Sequence, residues 1–292
     1  MRIVLALTVR NLRLYFRDRL GVFFSLLGAL ILFLLYMLFL RELQTSGLRV
    51  GFPDADPGTV STFVDTWMFA GIISITTFTT GLGAFASFVD DSATGRFRDF
   101  RVSPIGRGEL VLGYLLSSFI VAVAMSLFVL AVSLGYLFFV DGLALEPGRL
   151  ATLVAEIVLS CIAFAALSAF VVSFVSTPGA FSALATVVGT TLGFLAGAYI
   201  PVGLFPEGVR SVINALPFGQ SATLLRQQLS QSALDELVAG QAAAVEQLST
   251  YYGITAKVGS WEATPPYIVS VLTGMVVVFA LLAAVRIRRR LR

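Results

Sequence analysis

Residues 21–40 read GVFFSLLGALILFLLYMLFL, a run of twenty residues without one charged side chain. A helix of about 20 residues is long enough to cross the roughly 30 Å hydrocarbon core of a bilayer. The run is longer than the apolar core of a signal peptide, and no small-residue cleavage site follows it. We therefore interpret residues 21–40 as the first membrane-spanning helix.

Five further apolar runs have a similar length. They lie at 64–89, within 110–140, and at 150–175, 180–200 and 267–285. Hydrophobic residues make up 57% of the chain, and charged residues make up only 13%, against about 25% in soluble domains. Since open sheets cannot exist in lipid, these runs are expected to be helices. The sequence predicts an all-α integral membrane protein with six transmembrane helices in a single domain, residues 1–292.

The charged side chains divide unequally between the two ends of these helices. Of the 20 Lys and Arg residues, 14 lie before the first run, between the second and third, or after the sixth. Cytoplasmic loops carry the excess of Lys and Arg, so we predict a multi-pass protein with both termini in the cytoplasm. The C-terminal arginines fit an anchor beside anionic membrane lipid, and no nucleic acid partner is expected.

The residue inventory excludes several kinds of chemistry. The chain has no histidine and one cysteine, Cys161, which excludes Ser–His and Cys–His catalysis, histidine–zinc sites and an internal disulfide. It has no G-x-x-x-x-G-K-[ST] phosphate loop, so it cannot bind and hydrolyse ATP in the P-loop manner. We expect no catalytic residue, cofactor or metal in this chain.

Residues 1–20 have the pattern of an amphipathic helix that lies at the membrane interface. Apolar residues recur at intervals of three and four, at Leu5, Val9, Leu12, Phe16 and Leu20. Arginines recur on a different face, at Arg10, Arg13 and Arg17. Such a helix lies among lipid headgroups. Two roles stay open, a plain anchor or a lever that senses a cytoplasmic partner and moves the first span.

Residues 90–109 read DDSATGRFRDFRVSPIGRGE and form the predicted cytoplasmic loop between the second and third spans. The loop mixes acids and arginines with two phenylalanines, Phe97 and Phe100. Aromatic rings and arginines are enriched in protein interfaces, whereas a merely solvated loop has little use for the rings. We predict a protein docking site here.

Residues 201–264 connect the fifth and sixth spans on the opposite side. Prolines and glycines interrupt the start of this connection, and Val209–Phe218 is apolar but too short to cross a membrane. We predict an outer re-entrant turn there. Gln220–Tyr252 is polar with helical periodicity, which predicts a small outer helical cap.

Polar and small residues inside the spans are the remaining candidates. Glu156 is the one obvious charge within a span, and it is either a substrate or gating group or a side chain that reaches outer water. The second span carries hydroxyl groups that could line a pathway or pack helices, among them Ser74, Thr77 and Thr80. The fifth span has a four-residue glycine repeat that predicts a close-packing stripe, Gly189, Gly193 and Gly197.

Three stretches resemble one known family. RNLRLYFRDRLGVFFSLL (10–27) resembles the connecting helix and first span of the membrane subunit of bacterial ATP-binding-cassette exporters of the type-2 permease family. The loop from Asp91 with VSPIGRGEL (102–110) is similar to that family's coupling segment, with Asp91 where glutamate is expected. YIPVGLFPEGVRSVINALPFGQSATLLRQ (199–227) resembles its re-entrant region.

The resemblance implies a bacterial inner-membrane location and a dimer of permease chains, identical or related, above two ATPase subunits that hold ATP and Mg. It implies that the ATPase contacts the connecting helix and the coupling loop. Those positions here are Arg10, Arg13, Phe16, Arg17, Asp91, Gly95, Arg96, Phe97, Arg98, Asp99 and Phe100. The substrate path would run between the permease chains, lined partly by the second and fifth spans. The candidate pathway residues from the sequence are Ser74, Thr77, Thr80 and Glu156. The outer gate would be the re-entrant turn with Pro201, Phe205 and Pro206.

The predicted function is ATP-driven export of an amphipathic or hydrophobic substrate, such as a drug, lipid or peptide, by alternating access. A permease for polysaccharide or glycolipid export is one alternative. Another is a membrane immunity or interaction protein that binds an antimicrobial without transport. A membrane-embedded lipid enzyme is disfavoured because histidine and clustered intramembrane acids are missing.

Overall fold

The computed structural model describes residues 2–97, 105–239, 241–259 and 261–290. The protein is 84% helical, which confirms the predicted all-α integral membrane protein. Its helices are α1 (Arg2–Arg17), α2 (Arg19–Leu35), a π-helical turn (Tyr36–Leu40), α3 (Arg41–Gly51), α4 (Pro57–Ala84), α5 (Ala86–Ala93), α6 (Arg107–Val140), α7 (Pro147–Val172), α8 (Pro178–Leu195), a 3-10 turn (Val202–Leu204), α9 (Glu207–Ala215), α10 (Pro217–Leu237), α11 (Ala242–Tyr252) and α12 (Pro265–Arg290). A short antiparallel hairpin pairs β1 (Ala256–Val258) with β2 (Trp261–Ala263).

Six helical segments are long and apolar enough to cross a membrane, as predicted. They are Arg19–Gly51, Pro57–Ala93, Gly108–Val140, Pro147–Val172, Pro178–Leu195 and Pro265–Ile287. The first two are longer than the predicted 21–40 and 64–89. The difference arises because polar residues ended the apolar runs, although the backbone stays helical through them. We call the end with α1, α5 and the start of α6 the arginine-rich end, and the other end the acidic end.

Helix α4 is the centre of the bundle. Its side chains are buried along most of its length, and it packs against α2, α6, α7, α8 and α10. In contrast, only 17% of the apolar stretch is buried in each of the first and fifth spans. The first and fifth spans therefore present apolar faces that none of the described residues covers.

Polar caps determine where several helices begin. Asp18 separates α1 from α2 and accepts a hydrogen bond from the Gly21 backbone N–H at 2.9 Å. Thr177 accepts from the Ala180 N–H at 3.2 Å, just before Pro178 opens α8. Side-chain acceptors at this position satisfy backbone donors that a helix leaves free in its first turn. The break at Asp18 makes α1 a separate element from the first span, as the amphipathic pattern predicts.

Helix α10 enters the bundle instead of covering it. Near the last residue of α10, at the acidic end, Glu236 Oε1 lies 3.4 Å from the Thr59 hydroxyl. Near the first residue of α10, the ring of Phe218 lies 5.3 Å from the ring of Phe78, which is in the second half of α4. The 18 residue-to-residue steps from 218 to 236 correspond to about 27 Å of helix. Helix α10 therefore packs within the bundle, and the predicted outer cap over Gln220–Tyr252 does not describe it. Its polar residues misled the prediction because their partners lie inside the protein.

Candidate functional site

A buried carboxylate joins three elements at the arginine-rich end. Asp91, on α5, is 1% exposed. Arg10 of α1 donates to both of its oxygens, from Nη1 at 2.7 Å and from Nη2 at 2.9 Å. Arg96 donates at 2.9 Å, and the Tyr114 hydroxyl of α6 donates at 2.5 Å. We call these four residues the Asp91 cluster, and it ties α1, α5 and α6 together.

The electrostatics of the cluster favour its charged form. A two-pronged contact between guanidinium and carboxylate is among the strongest polar contacts in proteins. The hydrogen bond with Asp91 raises the pKa of Arg10 above its ordinary value, so Arg10 stays a cation.

Close backbone packing seats α1 on α6 beside the cluster. A Cβ added at Gly113 would lie 2.8 Å from the Leu7 Cβ, so only glycine lets the helices approach this closely. Thr8 is buried and donates to the Gly113 carbonyl at 3.4 Å, and Asn11 donates to the Ser117 hydroxyl at 3.4 Å. Helix α1 is thus fastened along one face to the start of the third span.

Aromatic rings fill the space beneath the cluster. The Phe88 ring lies 5.2 Å from both Phe97 and Tyr114, measured between centroids. Phe97 is 9% exposed and belongs to the hydrophobic core. Phe97 and Asp91 are both buried within the chain, and their contact with a partner stays a prediction.

The other predicted contact residues divide by exposure. Arg13, Phe16, Arg17 and Arg96 are exposed, and Gly95 is partly exposed with φ +78°. At 100° per residue, Arg13 and Arg17 lie on the side of α1 that faces away from α6. Arg98, Asp99 and Phe100 lie outside the described residues.

The hydroxyl groups of the second span lie inside the bundle. Ser74, Thr77 and Thr80 are 4%, 0% and 0% exposed. Thr77 donates to the Ser74 carbonyl at 2.6 Å, and Thr80 donates to the Thr76 carbonyl at 2.7 Å. In this structure these residues pack α4 against its neighbours and do not line an open path.

The predicted gate residues lie around α10. Glu156 is 8% exposed, and its Oε1 accepts from Gln228 at 3.2 Å, which places the carboxyl against α10. Pro201 is buried just before the 3-10 turn, Phe205 is partly exposed, and Pro206 is exposed before α9. Their role as a gate remains a prediction.

The predicted glycine stripe does not form within the chain. A Cβ added at Gly189 would meet nothing within 4 Å. Gly193 instead receives the Tyr199 ring, 2.1 Å from an added Cβ, and Gly197 lies beyond the end of α8 with φ +59°. The regular spacing failed as a guide because α8 ends at Leu195, so the third glycine serves a turn.

Comparison with known proteins adds the family. A sequence model of the family described as ABC-2 type transporter matches residues 2–229. The chain belongs to the ABC-2 type transporter family. The matched range contains the Asp91 cluster and most of α10. No curated protein matches the chain.

ABC-2 membership makes the chain the membrane permease component of an ABC transporter, and that component is not the ATPase. It implies an ABC ATPase partner. The Asp91 cluster lies at the end where the resemblance places that partner.

Two buried charges of this ABC-2 protein escaped sequence analysis. Asp65 is 0% exposed and pairs with Arg41, whose Nε lies 2.9 Å from Oδ1. The sequence did contain a signal for this ion pair, because Arg41 directly follows the first apolar run and Asp65 lies at the start of the second. Arg226 is 1% exposed on α10, and nothing in its polar sequence surroundings indicated burial.

Proposed function

We propose that the chain is the permease of an ATP-driven exporter in the bacterial inner membrane, with both termini in the cytoplasm. Two permease chains, identical or related, pair above two ATPase subunits that bind ATP and Mg. The substrate is amphipathic or hydrophobic, such as a drug, lipid or peptide, and it leaves by alternating access.

The Asp91 cluster is the observation that carries this proposal. One carboxylate holds the interfacial helix α1, the loop helix α5 and the third span α6 in fixed relation. A push on α1 or on the residues after α5 is therefore passed to a membrane span. Exposed Arg13, Arg17 and Arg96 offer cationic contacts to the ATPase on the same end.

The surface of the chain supports a paired pathway. The first and fifth spans are the least covered, and both flank α4. A cleft of about 610 Å³ lies between α1, α2, α5 and α8 at the arginine-rich end. Its walls combine rings, including Tyr15 and Phe24, with the carboxylates Asp18 and Asp90, a lining suited to an amphipathic molecule. A second chain set against α2 and α8 would make this cleft the inner mouth of the path.

Co-purification with the ATPase tests the proposal. Arg13→Glu and Arg17→Glu together reverse exposed charge on α1, and Arg96 is left in place because it donates to buried Asp91. We expect the tagged double variant to lose the ABC ATPase that the unsubstituted chain retains from its native membrane. Arg49→Glu, an exposed change at the acidic end, is the matched control and should retain it. An intact complex in the double variant would contradict the assignment.

A further inference from the structure

Arg226 on α10 carries a buried charge that no carboxylate balances within the described residues. Its Nη2 donates to the carbonyls of Ala196 and Gly197, at 2.7 and 2.8 Å. These carbonyls end α8, where the helix dipole places partial negative charge. The guanidinium carbon also lies 5.5 Å from the centre of the Trp67 ring on α4, within cation–π range. One side chain therefore connects α10 to the end of α8 and to α4.

The slot around Arg226 is fitted to it. A Cβ added at Gly253 would lie 2.8 Å from Arg226 Nη1, and one added at Gly197 would lie 3.4 Å from Nη2. Both glycines have φ between +59° and +70°, a conformation that suits glycine. Gly71 of α4 lets the Ala198 backbone approach, since its added Cβ would be 2.8 Å from Ala198 Cβ. Backbone segments thus enclose the guanidinium directly.

The opposite face of α10 packs against α7 without an enclosed charged side chain like Arg226. At 100° per residue, Gln228 lies about 160° around the helix from Arg226. That face is held by two polar contacts, Gln228 to Glu156 at 3.2 Å and Ser221 to Ser160 at 2.8 Å, and by packed leucines. Glu156 Oε2 is buried without a hydrogen-bond partner among the described residues. Apolar contacts are non-directional, so this face tolerates sliding better than the Arg226 slot does.

We infer that Arg226 is a positioning residue of the transport cycle. It fastens α10 to the acidic end of the fifth span, so that α8 and α10 move as one body while α10 shifts against α7. The inference rests on the proposed function, because only a transporter passes through such a cycle.

Distances between spin labels test this in the complex with the ATPase. Cys161→Ser removes the one native cysteine. Spin labels on Thr190→Cys and Asp235→Cys then measure the distance between α8 and α10. Labels on Phe174→Cys and Asp235→Cys measure the distance between the end of α7 and α10. Each labelled chain is paired with an unlabelled permease chain through two affinity tags. Distances are measured without nucleotide and after trapping with ATP and vanadate.

We expect trapping to shift the 174–235 distance and to leave the 190–235 distance unchanged. With Arg226→Met, the 190–235 distance should shift on trapping. With Arg226→Lys, this shift should be smaller, because lysine can still donate to the carbonyls of Ala196 and Gly197. Arg210→Met, a partly exposed change on the neighbouring α9, should behave as the unsubstituted chain. A stability effect alone would lower the yield of Arg226→Met without making this distance depend on nucleotide.

Equal shifts of both distances in the unsubstituted chain would overturn the inference and leave the proposed function standing. An Arg226→Met complex with an unchanged 190–235 distance would also overturn it. If trapping moves neither pair, the inference also fails because α10 does not shift against α7, while the proposed function is decided by the co-purification test. Should Arg226→Met not assemble, the two unsubstituted pairs and Arg226→Lys still decide the outcome.

Discussion

The contact between Arg10 and Asp91 is open to a direct energetic test. Arg10→Gln and Asp91→Asn each remove one charge while keeping a side chain of similar shape. The double variant removes both, so the four proteins form a thermodynamic cycle that isolates the pair.

The structure sets the expected magnitude. A hydrogen bond to a charged group contributes about 1.5–3 kcal/mol. Asp91 is 1% exposed, but the Arg10 side chain is 31% exposed, so water screens part of the attraction. We expect a coupling free energy of about 2 kcal/mol, below the roughly 3 kcal/mol that two unscreened bonds of this kind would give at least. Arg96 is 54% exposed and should add little.

Thermal unfolding of the purified chain in lipid nanodiscs provides the assay. Each single variant should lower Tm by roughly 4–8 °C, and the double variant should lower it by much less than the sum. The reasoning would be refuted if the losses of unfolding free energy in the two single variants sum to the loss in the double variant within about 0.5 kcal/mol, because independent sites behave that way. The same variants should also lower transport per ATP hydrolysed, since α1 would no longer be fixed to α6.

Three further outcomes follow from the structure. Gly193→Ala should lower Tm because its Cβ would overlap the Tyr199 ring, whereas Gly189→Ala, with open space, should raise Tm slightly because alanine is the better helix former; equal effects would contradict the assigned contact. Burial raises the pKa of Asp141 to about 6, so ionisation costs folding free energy above that pH, and Asp141→Asn should raise Tm at pH 7.5 but not at pH 4. Phe97→Asp should reduce the yield of folded chain through its buried ring, and a normal yield with loss of the ATPase would instead show that the ring is a contact.

Local patterns predicted the spans but not their partners. The apolar runs are a property of neighbouring residues, and the length of a bilayer crossing is fixed, so all six spans could be found from the sequence. The burial of Asp91 could not, because it depends on Arg10 and Tyr114, which lie 81 and 23 residues away. Asp91 and Phe97 were identified as candidate contact residues, and the structure gives both of them partners within the chain.

Polarity was a poor guide to exposure in α10. Ser221 bonds Ser160, and Thr223 donates to the Gly253 carbonyl at 3.1 Å. Each such group looks solvated in sequence because its partner comes from a distant segment. Polar residues that satisfy one another can be buried at little cost, so a polar stretch of helical period is compatible with a helix that packs within the bundle.

The π-helical turn at Tyr36–Leu40 restricts insertions and deletions in the sequence of the first span. A π turn holds one residue more than an α turn, and each residue rotates the following helix by about 100°. Arg41 follows this turn directly and owes its direction toward Asp65 to the extra residue. Deleting one residue here would convert the π turn to an α turn, rotate the guanidinium away from Asp65 and leave that buried carboxylate without its cation. Homologous chains that keep the arginine and the aspartate should therefore show no gap of a single residue between positions 35 and 41.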